Sequence, residues 1–109
     1  MKNISRIHWH DSVILRVIEI PKGEKLLFEV DYPVDWEAGK YEIHVIEFSG
    51  IYTYQINEGP FSGAITILDL TILESEDQYG ASTLRMETNA GYRTIKCKNV
   101  ELVEGNYKG

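Results

Sequence analysis

Two histidines and an aspartate stand close together near the N-terminus, in the segment His8-Trp9-His10-Asp11. In an extended segment, side chains two residues apart point to the same side, so His8 and His10 would present two imidazoles together. Two imidazole nitrogens and one carboxylate are ligands that zinc and iron accept in proteins. The only other histidine is His44, which would have to join them, or a ligand from elsewhere, to complete a closed site.

The same cluster also has a structural interpretation. Aspartate side chains accept hydrogen bonds from nearby backbone N–H groups, which would make Asp11 a cap at the start of the fold. Trp9 would then pack on the core with the two histidines at its border. Because an isolated His-x-His is a weak signal for metal, we favour the structural role. A metal-binding protein or metal-dependent enzyme that uses His8, His10 and Asp11 is the alternative, and no cofactor is predicted.

A second candidate is the acidic and aromatic stretch Asp31-Tyr32-Pro33-Val34-Asp35-Trp36-Glu37. Paired carboxylates can perform acid–base catalysis when an apolar neighbour raises the pKa of one of them. Short acidic loops are far more common than such perturbed carboxylates, so we nominate no catalytic residue. Tyrosine and tryptophan are enriched at the energetic centres of protein interfaces. The predicted partner-binding residues are Asp31, Tyr32, Asp35 and Trp36.

The charge balance limits the partners that this protein can take. Seventeen acidic residues oppose eleven Lys and Arg, which gives a formal net charge of −6. Such a surface repels phosphate backbones, so a basic protein is a better candidate partner than nucleic acid. A moderate net charge also serves solubility alone, and self-association is left open.

The composition also predicts where the protein resides. No stretch approaches the ~20 apolar residues of a membrane helix, and no signal peptide is recognisable. The single cysteine, Cys97, excludes an internal disulfide and favours a reducing compartment. We therefore expect a cytoplasmic protein that does not contact membranes.

Apolar side chains recur at every second residue along most of the chain. Leu26, Phe28, Val30 and Tyr32 share one face of an extended segment, which is typical of a strand with one buried face. Residues 64–74 are apolar on both faces, and their β-branched content favours a strand over a short helix. The predicted strands are residues 12–20, 25–32, 41–48, 51–56, 64–74, 81–88 and 92–103.

These patterns predict a single β-rich domain over residues 1–109. It is expected to be mainly β, an antiparallel meander of seven or eight strands curled into a sandwich or an open barrel. Ser49-Gly50 interrupts two apolar segments and is either a tight turn or a glycine bulge. Cys97 follows Ile95 by two residues, so both should face inward, where a thiol is unreactive.

The chain also resembles a family of small bacterial proteins of unknown function. The resemblance rests on His10-Asp11-Ser12, on residues 26–32 with Trp36 shortly after them, on the 41–56 hairpin and on the 94–103 strand. More loosely, the chain is similar to immunity proteins of bacterial polymorphic toxin systems, which often carry a His-Asp pair near the start of a β-rich domain. The resemblance implies a non-enzymatic role in which the protein binds and neutralises a toxin, and it supplies no catalytic residues.

Overall fold

The computed structural model describes residues 4–107, and the fold within them is mainly β, as predicted. Short 3-10 helices span Ile4–Arg6 and Pro21–Gly23. The eight strands are β1 (Val13–Ile20), β2 (Lys25–Asp35), β3 (Lys40–Ser49), β4 (Thr53–Glu58), β5 (Ile65–Glu74), β6 (Ser82–Thr88), β7 (Gly91–Cys97) and β8 (Asn99–Glu104). Residues 64–74, for which the sequence favoured a strand over a short helix, form strand β5.

Every pair of neighbouring strands is antiparallel, and the sheet order is β4-β7-β6-β5-β1-β2-β3-β8. The sheet is open, because β4 and β8 stand at its two ends. It has two four-stranded halves, one containing β1, β2, β3 and β8 and the other containing the remaining strands. The halves join where Val13 and Ile14 of β1 pair with Thr66 and Ile65 of β5. This arrangement fits the predicted open barrel or sandwich.

Two segments of the chain bend from one half of the sheet into the other. Gly50, at φ +65°, separates β3 from β4, and a Cβ at this position would lie 2.8 Å from the Cβ of Lys98. The predicted single strand over 92–103 is interrupted at the same place and divides into β7 and β8. Backbone hydrogen bonds from Lys98 N to Ser49 O (3.0 Å) and from Tyr52 N to Lys96 O (2.8 Å) fix the two bends against each other.

The core lies between the two halves and is built from the alternating apolar residues. Phe28 and Phe48 are fully buried with ring centroids 5.3 Å apart, and Trp9 packs on Phe48, as expected of a core tryptophan. Ile95 and Cys97 both face inward, which confirms the prediction. Burial raises the pKa of the Cys97 thiol to about 12, so the thiol stays protonated and unreactive near neutral pH.

Strand β2 differs from the prediction in two ways. It continues past Pro33 to Asp35, with a pairing irregularity between those two residues. Its second face is also covered, because the Tyr107 backbone N–H donates to Glu29 Oε2 (3.1 Å) and Arg16 pairs with the same carboxylate (3.1 Å). The segment after β8 therefore crosses the outside of the sheet at Tyr107.

Candidate functional site

The structure brings together the two clusters that the sequence presented separately. The indole Nε1–H of Trp36 donates to Asp11 Oδ2 over 2.8 Å. The backbone N–H of His8 donates to the hydroxyl oxygen of Tyr32 over 2.7 Å. The N-terminal segment and the far end of β2 therefore form one site, which we call the Trp36 surface and define as Asp11, Val34, Asp35, Trp36 and Glu37.

Backbone pairing with β5 holds Asp11 in place. Asp11 N donates to Ile67 O (2.9 Å), and Ile67 N donates to Ser12 O (2.8 Å). The Ser12 hydroxyl donates to His8 O (2.8 Å), which closes the turn on the inner side. Asp11 adopts φ +70°, a left-handed conformation that aspartate tolerates better than most residues.

The role predicted for the Asp11 side chain is wrong in its detail. We expected its carboxylate to accept hydrogen bonds from backbone N–H groups, whereas its partner is the Trp36 indole. The second carboxylate oxygen lies 3.5 Å from His10 Nε2. The N-terminal segment is instead tied down by backbone bonds and by Ser12, and the Asp11 carboxylate is free to orient the indole.

A tight turn after β2 presents Trp36 to solvent. Asp35 Oδ1 accepts a hydrogen bond from Ala38 N (3.1 Å), and Gly39 N donates to Trp36 O (3.1 Å). Gly39 has φ +68°, which glycine adopts without strain. The Trp36 side chain is consequently 54% exposed, although its only polar atom is already hydrogen-bonded.

The four predicted partner-binding residues have different environments. Asp35 and Trp36 are exposed, and Asp31 is half-buried on β2, opposite Ile43 of β3. Tyr32 is buried instead, and its ring stacks on His44 with centroids 5.0 Å apart. Tyr32 therefore supports the N-terminal segment from inside and does not line the surface.

His10 and His44 each bond a backbone carbonyl through Nδ1. His10 Nδ1 lies 2.8 Å from Leu68 O, and because a carbonyl only accepts, Nδ1 carries the proton and a neutral ring keeps its lone pair on Nε2. His44 Nδ1 likewise donates to Ile43 O (2.7 Å). Within residues 4–107 no group of three or more His, Cys, Asp or Glu has a geometry that could hold a metal ion. Metal binding by His8, His10 and Asp11 stays a prediction.

Sequence reasoning missed a buried ion pair in the other half of the sheet, between β4 and β7. Arg93 donates from Nε and Nη2 to the two oxygens of Glu58 (2.8 and 2.9 Å), and Thr88 Oγ1 donates to the same carboxylate (3.0 Å). Arg93 Nη1 also donates to the Tyr54 hydroxyl (3.0 Å). The sequence did hold a signal for this burial: Arg93 lies two residues before the inward-facing Ile95 and therefore on the same face of the strand.

This ion pair is shielded from solvent, since both side chains are only 9% exposed. The hydrogen bonds from Arg93 hold the pKa of the Glu58 carboxyl below its usual value, against the opposing effect of burial. Each of the three guanidinium nitrogens of Arg93 donates to an acceptor, so the cluster acts as a structural clamp between β4 and β7.

Comparison with known proteins does not assign the site. No model of a known protein family matches the chain, and no curated protein sequence is significantly similar to it.

Within the part of the chain that the structure describes, no helix is long and apolar enough to cross a membrane.

Proposed function

We propose that this protein is a non-enzymatic binding domain that docks a basic protein partner on the Trp36 surface. One observation carries the proposal: the Trp36 indole is more than half exposed, yet its N–H is fixed by Asp11. Such an indole offers apolar area to a partner without leaving an unpaired donor behind. The resemblance to immunity proteins implies the same kind of role, with a toxin as the partner.

The apolar contribution of this side chain is sufficient for a specific contact. A tryptophan buries about 200 Å² when fully enclosed, so the exposed half offers about 100 Å². At about 25 cal/mol per Å², covering it stabilises a complex by about 2.5 kcal/mol. Because Asp11 already orients the ring, little side-chain entropy is lost when a partner covers it.

The charges near Trp36 favour a partner with a positively charged surface. Asp11 contacts the indole directly, and Asp35 and Glu37 flank Trp36 in sequence, whereas the nearest cation in sequence, Lys40, has its Nζ 3.5 Å from Glu42 and so is partly neutralised. Together with the net charge of −6, this arrangement attracts a positively charged surface and accelerates its association at low salt.

The first experiment identifies the partner and tests the surface together. Cross-linked pull-downs from the native host compare the wild type with Trp36→Ala, and Tyr79→Ala is the matched control because Tyr79 is 63% exposed in the turn between β5 and β6. We expect a basic protein that the wild type and the control capture and that Trp36→Ala loses. Equal recovery by Trp36→Ala, or no recovery above background, would contradict the proposal.

Titration with the purified partner then separates the apolar and electrostatic contributions. Trp36→Ala should weaken binding by at least tenfold, since about 1.4 kcal/mol corresponds to one decade in affinity. The double charge reversal Asp35→Lys/Glu37→Lys should slow association and reduce its dependence on salt, whereas Glu101→Lys on β8 should not. Unchanged affinity in both surface variants would refute the assigned surface.

The toxin-neutralising form of the proposal has a separate test. A partner gene beside the gene for this protein should arrest growth when expressed alone, and co-expression of the wild type should restore growth. Trp36→Ala should fail to restore it while Tyr79→Ala succeeds. If the partner has no effect on growth, protein binding stands and the immunity role is wrong.

A further inference from the structure

A second feature of the fold is a gap between strands β1 and β4. Strand β1 pairs with β5 only at Val13 and Ile14, so beyond this point its edge away from β2 meets no strand within residues 4–107. Strand β4 pairs with β7 alone and leaves its other edge without a strand partner in the same described region. The end of β1 and the start of β4 nevertheless line one cavity, so the two free edges border the same opening.

Both ends of this gap are closed by the chain itself. At one end Ile51 N donates to Glu24 O over 3.1 Å, which ties the start of β4 to the turn after β1. At the other end the loop between β4 and β5 leads into the short pairing of Ile65 with Ile14. An opening closed at both ends suits one added extended segment better than the edge of a second folded copy.

The cavity inside the gap has a volume of about 320 Å³. This volume is at the lower end of the range for ligand pockets and suits a few side chains. The walls combine apolar surface with two carboxylates that have no ion-pair partner within the described residues, those of Glu19 and Glu24. The lining residues are Glu19, Ile20, Pro21, Glu24, Lys25, Leu26, Ile51 and Tyr54.

The charge at the opening is effectively negative. Lys25, the only cation in the lining, is already paired with Glu47 over 3.0 Å. Glu19 and Glu24 are both exposed at the rim, where an incoming cation can reach them. The cavity is therefore complementary to a segment that alternates apolar and basic side chains.

The free edge of β4 lacks the bulge, proline and lysine that commonly block strand addition, and its one charged residue, Glu58, is already paired with Arg93. Natural edge strands are protected by bulges, prolines or lysines. The pairing of β4 with β7 runs without a bulge from Thr53 to Glu58, and the strand contains neither proline nor lysine. By contrast, β5 has register shifts after Ile67 and after Ile72, and β1 has one after Ile14. The edge of β4 is thus the one suited to pairing.

We propose that the gap between β1 and β4 binds an extended, basic segment of a partner polypeptide, which adds as a strand to the edge of β4. Its backbone pairs with Thr53–Glu58, its apolar side chains enter the cavity, and its basic side chains meet Glu19 and Glu24. Leu26, which lines the gap, is ten residues from Trp36 along β2, or about 33 Å at the usual rise per residue. The cavity end of the gap is therefore distant from Trp36.

The test uses the full chain and a defined probe, the peptide acetyl-KVRIKVR-amide. Its control is acetyl-KVRPKVR-amide, which keeps all four basic residues and in which the central proline removes a backbone donor and disfavours pairing. Amide hydrogen exchange followed by NMR should show at least tenfold slower exchange at residues 53–58 when the first peptide is added. The proline peptide should leave these rates unchanged, and the rates of the other edge strand, Asn99–Glu104, should not respond to either peptide.

Variants locate the charge contribution. Glu19→Lys/Glu24→Lys should weaken binding of the peptide at least tenfold by calorimetry, while Glu101→Lys/Glu104→Lys, the same charge change on β8, should not. Unfolding curves establish that each variant is folded before it is titrated. Protection at β8, equal binding of the two peptides, or no slowing at residues 53–58 would each overturn the proposal. Trp36→Ala should bind the peptide as the wild type does, so this test fails or succeeds independently of the Trp36 surface.

Discussion

Removal of the Glu58 carboxylate should be among the most destabilising single changes that preserve side-chain volume. In Glu58→Gln the amide cannot balance the Arg93 guanidinium, whose side chain is 9% exposed. Breaking a buried pair by removing one charge typically costs about 3–5 kcal/mol. Arg93 keeps its contact with the Tyr54 hydroxyl at 3.0 Å, which places the expected loss near the lower end, at about 3 kcal/mol.

Urea unfolding at neutral pH measures this loss as a lower midpoint at an unchanged slope. Glu87→Gln is the matched control, because Glu87 also pairs with an arginine, Arg85, but its side chain is 39% exposed. An exposed pair of this kind contributes at most about 1 kcal/mol. A loss in Glu58→Gln no larger than that of Glu87→Gln would refute the assignment of Glu58 and Arg93 as a buried clamp.

Two extensions isolate the charge as the cause. In the double variant Glu58→Leu/Arg93→Met no charge is left unpaired, so it should be more stable than either single variant. The second extension is pH. Since the pKa of folded Glu58 is lowered, its stabilising effect is present above the ordinary glutamate pKa and is lost as pH falls through the folded value. The difference between wild type and Glu58→Gln should therefore shrink in acid.

Three further outcomes follow from the core and the bends. Cys97, whose pKa is raised to about 12, should not react with a thiol reagent at pH 8 in the folded protein and should react fully in denaturant; rapid labelling of folded protein would contradict its burial. Gly50→Ala should lower the melting temperature of the protein more than Gly39→Ala does. Both glycines have φ near +65°, but only at Gly50 would the new Cβ lie 2.8 Å from the Cβ of Lys98. Equal decreases in melting temperature would show that this contact has no effect. Phe28→Ala, which empties a fully buried site, should cost about 3–5 kcal/mol in urea, and a loss under about 1 kcal/mol would show that the core refills.

Local patterns predicted the strands because each depends on residues close in sequence. The alternation of Leu26, Phe28, Val30 and Tyr32 gave both the strand and its buried face, since side chains in a strand alternate between the two sides. The division of 92–103 into two strands was not predictable in this way. The break lies at Lys98, which packs against the bend at Gly50 about fifty residues earlier and donates its backbone N–H to Ser49 O, a contact that no local pattern shows.

The Trp36 surface shows the same limit at the level of a site. Its residue types were recognisable, and Trp36 and Asp35 are exposed as a binding role requires. What local patterns could not show is that Asp11 orients Trp36, because the contact spans 25 residues and depends on Asp11 pairing with Ile67 of β5. The left-handed backbone of Asp11 is consistent with this role, because it persists where surrounding contacts impose it. In the structure the Asp11 carboxylate orients an exposed indole, a role that neither of the two interpretations drawn from the sequence included.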